Sequence, residues 1–230
     1  MELKKCRNCK SHNLKKLFSL GNQSYTGKFL KKSEKVRKAF INLAMCKKCK
    51  LVQLNNKYSL KYMYGPDYGY RTGINKTMTN HVKDVTNYLS KISKLKNNDY
   101  VLDIASNDGT LLNFYNKRIH TFGIDPILKK YRRHYKKINF IFNNFFSKKQ
   151  ILSKTKKKFK IITALSVFYD LTDPNKFLRD VHDLLDDDGL FVIQMSYTPL
   201  MLKQIAFDNI CHEHIYYYSL FNFKKILERN

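Results

Sequence analysis

Twelve consecutive residues, Asp208 through Ser219, hold His212, Glu213, His214 and the three phenols Tyr216, Tyr217 and Tyr218. Each of these side chains needs a hydrogen-bond partner once buried, so a packed core has little use for so many together. A catalytic cleft does use them, because proton transfer needs acids and bases within hydrogen-bond reach of a substrate. Alone, a His-Glu-His run reads equally as a polar turn facing water. Its meaning depends on the elements around it.

Four of the five cysteines form two matched pairs, Cys6 with Cys9 and Cys46 with Cys49, at the C-x-x-C spacing that lets two sulfurs reach one tetrahedral ion. A redox dithiol is the competing reading of one such pair, and two matched pairs favour zinc. Arg7, Lys47 and Lys48 favour thiolate and offset the negative charge of a four-thiolate site. With every position taken by protein, the ion is expected to be structural, with no place for a reacting water. Cys211 lies far away in sequence and is expected to be a pocket or core thiol.

A chain of 230 residues can hold one good-sized domain plus a small module. Its 43% hydrophobic share, with 16 Tyr and 16 Phe but no Trp, suffices for a packed core. The net charge of +26 invites a nucleic-acid reading. The lysines are spread along the chain, however, with dense runs at 131–137 and 154–158, and spread charge is usually a solvated surface that still attracts polyanions. No apolar stretch approaches the ~20 residues of a membrane span, and the first residues lack the apolar run of a signal peptide. A cytoplasmic location is the expectation, with the cysteines as thiols or metal ligands.

The elements that must position this chemistry follow from periodicity. Tyr62, Tyr64, Tyr68 and Tyr70 lie among the turn markers Gly65, Pro66, Gly69 and Gly73, which predicts a tyrosine-rich loop. Met78, Val82, Val85 and Leu89 then recur at helical spacing. Short apolar runs at 100–104, 121–124, 138–142, 159–164 and 190–194 read as strands. Helical patterns fall between them, one through Leu111, Leu112 and Phe114 and another through Phe177, Leu178, Val181, Leu184 and Leu185. This alternation implies an α/β fold with a parallel sheet, whose ligands bind beyond the carboxyl ends of the strands. There, 106–109 is a small polar turn, and Asp125 is placed to accept hydrogen bonds from two ribose hydroxyls. The first turn lacks a G-x-G-x-x-G phosphate fingerprint, which argues for a nucleoside such as S-adenosylmethionine over a dinucleotide.

Several of these stretches, taken in order, resemble one family. They are the two cysteine pairs, the second followed by Leu51-Val52-Gln53-Leu54; 101–110 with 123–126; Phe168-Tyr169-Asp170-Leu171-Thr172-Asp173-Pro174; and Cys211-His212-Glu213-His214. Together they are similar to the zinc-containing nucleotide-sugar C-methyltransferases, class I S-adenosylmethionine enzymes with an N-terminal zinc module. The resemblance implies a zinc module at 1–57, a tyrosine-rich loop and linking helix at 58–98, and a Rossmann-like S-adenosylmethionine domain at 99–230. Family members continue into a second Rossmann-like domain, which this chain, ending at Asn230, is expected to lack. Asp103, Ala105, Ser106, Asn107, Asp108 and Gly109 would contact the methionine part of the cofactor. Asp125, with Pro126 beside it, would hold the ribose, and Asn144 and Phe145 would lie near adenine. Tyr68, Tyr70, Asp170, Glu213 and His214 would face the sugar, and Cys6, Cys9, Cys46 and Cys49 would hold zinc. Ala105 stands where the class I motif often has Gly.

The chemistry so implied is carbon methylation of a keto-deoxysugar nucleotide through an enolate. His214 is the candidate base, since imidazole is matched to neutral pH without tuning. Glu213 would orient that ring or hold a sugar hydroxyl, and Tyr70 and His212 are candidate donors to the developing oxyanion. An RNA-modifying methyltransferase accounts better for the charge but leaves the His-Glu-His run unused. A zinc- and nucleotide-binding fragment without activity is the third reading.

Overall fold

The computed structural model describes residues 2–27, 34–65 and 67–230; Pro66, read above as a turn marker, lies outside them. Two compact units form. One comprises Met1–Gly69, Ser166–Arg179 and Met195–Asn230, the other Tyr70–Leu165 and Asp180–Gln194.

The first unit is built on an antiparallel sheet. Its strands β1 (Leu14–Ser24), β2 (Lys38–Cys46) and β3 (Val52–Leu54) lie side by side in that order. The short helix α1 (Leu60–Met63) follows them. β1 is mostly exposed, and its register against β2 shifts twice, the second time across Gly21, whose φ of +73° suits a residue without Cβ.

In the second unit, α2 (Lys76–Ile92) is capped by Asn75, whose side-chain oxygen accepts from the Met78 N–H at 3.1 Å. Its buried Val82 and Leu89 pack with Val101, Leu111, Leu112 and Tyr115. The strands are β4 (Tyr100–Ile104), β5 (His120–Ile124), β6 (Phe140–Phe142), β7 (Phe159–Leu165) and β8 (Leu185–Gln194), with α3 (Leu128–Tyr131) after β5 and α4 (Lys148–Leu152) after β6. All neighbours pair in parallel, in the order β6-β5-β4-β7-β8. Buried Val101, Leu102, Phe122, Ile124, Ile161 and Ile162 explain why these strands read as continuous apolar runs. Burying a side chain such as Phe122 contributes roughly 1.5–3 kcal/mol. The order reverses beside β4, which places the crevice of such a sheet beyond the ends of β4 and β7.

The remaining helices are α5 (Pro174–His182), α6 (Thr198–Lys203) and α7 (Leu220–Leu227), and the two-residue strand β9 (Tyr216–Tyr217) joins the edge of β3. Because β9 pairs there, and Asn222 donates to the Cys49 carbonyl at 2.6 Å, residues 195–230 group with the zinc module. The expected span of 99–230 therefore does not follow the observed units. α2 groups with the parallel sheet for the matching reason, its apolar face packing on β4 and the segment after it.

Two helix expectations are corrected. The pattern through Leu111, Leu112 and Phe114 yields only a 3-10 turn at Leu112–Phe114. Asn116 ends it by accepting from the Arg118 N–H at 3.0 Å, and Asn113 donates to the His134 carbonyl at 2.8 Å. α5 stops at His182, and Leu185 already opens β8. Adjacent leucines at a helix end satisfy either period, so the pattern could not place that boundary. Among the described residues, no helix is long and apolar enough to cross a membrane.

Candidate functional site

In the first unit the four cysteines converge. Sulfurs of Cys6 and Cys49 lie 3.7 Å apart, those of Cys9 and Cys46 3.5 Å, and all four fall within 4.8 Å of one another. A tetrahedron with Zn–S bonds of ~2.3 Å spaces its sulfurs about 3.8 Å apart, so the set fits one zinc ion. All four are free thiols. Each knuckle closes identically, the N–H of Lys10 on the Cys6 carbonyl at 3.0 Å and that of Lys50 on the Cys46 carbonyl at 2.8 Å. Both lysines have left-handed φ, 62° and 61°, a symmetry that accounts for the matched spacing.

The strand ends of the second unit hold the polar turn. Ala105, Asn107 and Gly109 all have positive φ (60°, 52° and 74°), so the backbone doubles back at alternate residues. A side chain at Gly109 would meet Tyr135 and Ile138 at 2.9 Å, which leaves only glycine there. The Asn107 N–H donates to Asp125 Oδ2 at 2.9 Å and the Ile127 N–H to Oδ1 at 2.8 Å. Asp125 thus braces the turn while each oxygen keeps a further acceptor position. Burial, opposed by these two bonds, pushes its carboxyl up to about 6. Asp103 accepts from the Thr163 hydroxyl at 2.6 Å, and burial pushes it up to about 7.

Asp108 is the exception in this set. Its carboxylate, 1% exposed, is occupied by the Gly73 N–H at 3.0 Å, the Thr110 N–H at 3.2 Å and the Thr110 hydroxyl at 2.6 Å. It ties the turn to the chain before α2. Ser106 is likewise engaged, on Tyr135 at 2.8 Å, whose hydroxyl donates to the Asn107 carbonyl. Pro126 continues β5 into α3, and Asn144 and the exposed Phe145 follow β6.

The first unit gathers Tyr64, Tyr68, Asp170, Glu213 and His214. Tyr64 donates to Asp170 Oδ2 at 2.6 Å and packs on Tyr68 with ring centroids 5.3 Å apart. Burial holds Asp170 well above the usual carboxylate range; the His214 charge and the Tyr64 bond oppose this, and the Glu213 charge adds to it. Burial also raises Glu213. Asp170 Oδ1 and Glu213 Oε1 are buried without a hydrogen-bond partner among the described residues. Such atoms mark a place where a ligand's hydroxyl or amide completes the pairing. Gly27, at φ +76°, leaves room for Glu213: a Cβ there would lie 2.1 Å from Oε1. His214 Nδ1 lies 2.8 Å from the Asn209 carbonyl and must donate to it, so Nε2 is the nitrogen able to take a proton. Its ring meets Tyr169 edge-on at 4.4 Å.

The two expected oxyanion donors are Tyr70 and His212. Tyr70 belongs to the second unit, 45% exposed, where its carbonyl accepts from Asn107 and Tyr131. His212 is fully buried, with Nε2 3.0 Å from the Ala39 carbonyl and its ring packed on Tyr25 and Tyr58. Burial lowers its pKa, the Ala39 bond opposes this, and its Nδ1 is buried without a hydrogen-bond partner among the described residues. Sequence reasoning named Tyr64 only as one of the loop tyrosines that could line a cleft, and passed over Thr163 and Tyr135 as site residues. Tyr135 sits inside a basic run that reads as surface, and only its contacts reveal it.

Comparison with known proteins adds three findings. A methyltransferase domain family matches residues 74–230, and a zinc binding domain family matches residues 6–64. The C-methyltransferase NovU of Streptomyces niveus is 24% identical over 183 residues, a match covering 78% of this chain and 43% of that protein. The chain thus spans less than half the length of this curated relative. Among solved structures, the plantazolicin methyltransferase BamL, in complex with a triazolic desmethylPZN analog and SAH, superposes with a TM-score of 0.53 at 19% identity, covering 67% of this chain and 62% of that one. An S-adenosylmethionine-dependent methyltransferase from Clostridium acetobutylicum gives 0.50 at 14% identity, covering 65% and 79%. These likenesses establish the Rossmann-like fold of the second unit.

Proposed function

The chain belongs to the methyltransferase domain family, and from that premise we propose that it is an S-adenosylmethionine-dependent C-methyltransferase acting on a keto-deoxysugar nucleotide. When bound, the cofactor supplies an electrophilic methyl group on a sulfonium. In this reading Asp103 and the backbone of 105–109 border its methionine part. Asp125 offers its remaining acceptor positions to the ribose, with Pro126, Asn144 and Phe145 around the adenosyl group. The four thiolates hold zinc as a structural ion.

The observation that carries the reaction type is the His214 tautomer beside two buried, incompletely paired carboxyls. Nε2 of His214 takes the proton from the carbon next to the sugar carbonyl, and the C–H electron pair becomes the enolate. That carbon would be the nucleophile to which S-adenosylmethionine, held by the 105–109 turn and Asp125, would supply its methyl, with the C–S electrons left on sulfur. Glu213 and Asp170, whose free oxygens await donors, accept from sugar hydroxyls and orient the ring. Tyr64, a phenol held by a buried acid, joins Tyr70 as a candidate donor to the developing oxyanion. The C-methyltransferase relative supports carbon as the methyl acceptor.

Calorimetric titration with S-adenosylhomocysteine tests the cofactor. Binding that Asp125→Ala weakens supports the reading, and no binding to the parent chain removes it. Turnover of a keto-deoxysugar nucleotide tests the reaction: His214→Ala should abolish product while leaving S-adenosylhomocysteine affinity unchanged. Loss of both together would make the residue a support of the fold.

A further inference from the structure

The second unit contains a cavity of about 290 Å³ beside the 105–109 turn, walled in part by Arg71, Thr110, Asn113, His134, Lys136 and Lys137. Its electrostatics are one-sided. Asp108 also borders it, but that carboxylate already accepts from Gly73 and Thr110 and faces Arg71 at 3.6 Å. Lys136 and Lys137 are exposed and have no carboxylate within ion-pair distance among the described residues. The wall therefore carries uncompensated positive charge.

Its hydrogen bonding is incomplete in a specific way. Arg71 donates through Nη1 to Nε2 of His134 at 2.8 Å, which keeps that imidazole an acceptor; burial and the guanidinium charge both lower its pKa. Arg71 Nε, the atom that faces Asp108 Oδ2 at 3.6 Å, is buried and makes no hydrogen bond, and neither does Asn113 Oδ1, because the Asn113 amide donates from its nitrogen to the His134 carbonyl. One wall atom lacks an acceptor and another lacks a donor. A carboxylate at neutral pH offers only acceptors. A phosphate-type oxyanion offers acceptor oxygens together with a P–OH, and it suits a guanidinium flanked by ammonium groups.

We infer that this cavity is a subsite for a phosphate-type oxyanion, with Arg71, Lys136 and Lys137 taking its charged oxygens and Asn113 its hydroxyl. The inference goes beyond methyl transfer and does not depend on it. Any chain with a charge of +26 attracts anions loosely, so the test must localise the binding.

Isothermal titration of the zinc-loaded chain with inorganic pyrophosphate does so. One saturable site is expected, weakened about tenfold or more by Lys136→Gln with Lys137→Gln, and likewise by Arg71→Lys, which keeps the charge but removes the buried Nε. Lys156→Gln with Lys157→Gln should leave it unchanged, as should saturation with S-adenosylhomocysteine. Absence of saturable binding would overturn the inference, as would equal affinity in the Lys136 and Lys137 variant. Displacement by S-adenosylhomocysteine would also overturn it, by making the cavity part of the methyl donor's site. Failure to methylate a sugar nucleotide would leave this subsite standing and remove only the proposed reaction.

Discussion

Asp103 gives the sharpest physical test, because a carboxyl at the end of a buried parallel strand must alter the pH dependence of stability. It is 4% exposed, and its one observed partner is the Thr163 hydroxyl at 2.6 Å. Burial pushes it from 3.8 up to about 7; the Thr163 bond opposes the rise, and the Asp125 charge adds to it. Between those two values the native state keeps a proton that the unfolded chain has released, so stability falls as pH rises. The destabilisation is absent below the unfolded value and complete above the native one. At 1.36 kcal/mol per pH unit, the interval amounts to about 4 kcal/mol, of which about 3 kcal/mol lies above pH 5. Asp103→Asn cannot ionise and still offers Thr163 a carbonyl oxygen. Urea unfolding of both zinc-loaded proteins, followed by far-ultraviolet circular dichroism because the chain has no Trp, measures the difference. The variant's advantage over the parent should grow by about 3 kcal/mol from pH 5 to pH 8. A difference that stays constant over that range would refute the claim that burial governs this carboxyl.

Two further outcomes follow from the first unit. Purified chain should carry one zinc ion by atomic emission; Cys46→Ser should lose it, and chelation should lower the unfolding midpoint, since all four ligands come from protein. Gly27→Ala should cost roughly 1–3 kcal/mol in urea unfolding, from a left-handed φ plus a Cβ pressed against Glu213 Oε1. Gly21→Ala has nearly the same φ but nothing within 4 Å, so it should show the backbone part alone.

What could be read from the sequence was whatever repeats at short range. Two C-x-x-C pairs announce themselves by spacing, and the sulfurs do converge. Parallel strands announce themselves as uninterrupted apolar runs such as Val101-Leu102, and they form the expected sheet. The return of Tyr216 and Tyr217 to pair with β3 was not legible, because two residues carry no period and their partners lie more than 160 positions away. Nor was the division of labour among similar side chains. His212 and His214 are two residues apart, yet one is walled in by Tyr25, Tyr58 and Ala39 while the other is held by Asn209 with its second nitrogen left to accept. Asp108 and Asp125 both lie in strand-tip turns, and only their partners distinguish the carboxylate with three hydrogen bonds and Arg71 beside it from the one with two.

The return of β9 also changes what a structural zinc means for this chain. β3 leaves the second knuckle at Val52 and pairs with Tyr217, and the Leu54 N–H donates to the Ile215 carbonyl at 3.0 Å, directly after His214. Asn222 holds the Cys49 carbonyl from the other side of β9, and the first knuckle joins through the Arg7 N–H on Gln53 Oε1 at 2.9 Å. The segment bearing Glu213 and His214 is therefore fastened to the strand that the metal site anchors. An ion with no open coordination position can still govern catalysis, since misplacing a reacting group by about 1 Å can cost ~10²-fold in rate. On this argument, partial chelation that leaves S-adenosylhomocysteine affinity intact should already lower turnover, and Asn222→Ala should reproduce that effect with zinc still bound. Turnover that persists undiminished in the metal-free chain would break the link between knuckle and proposed base.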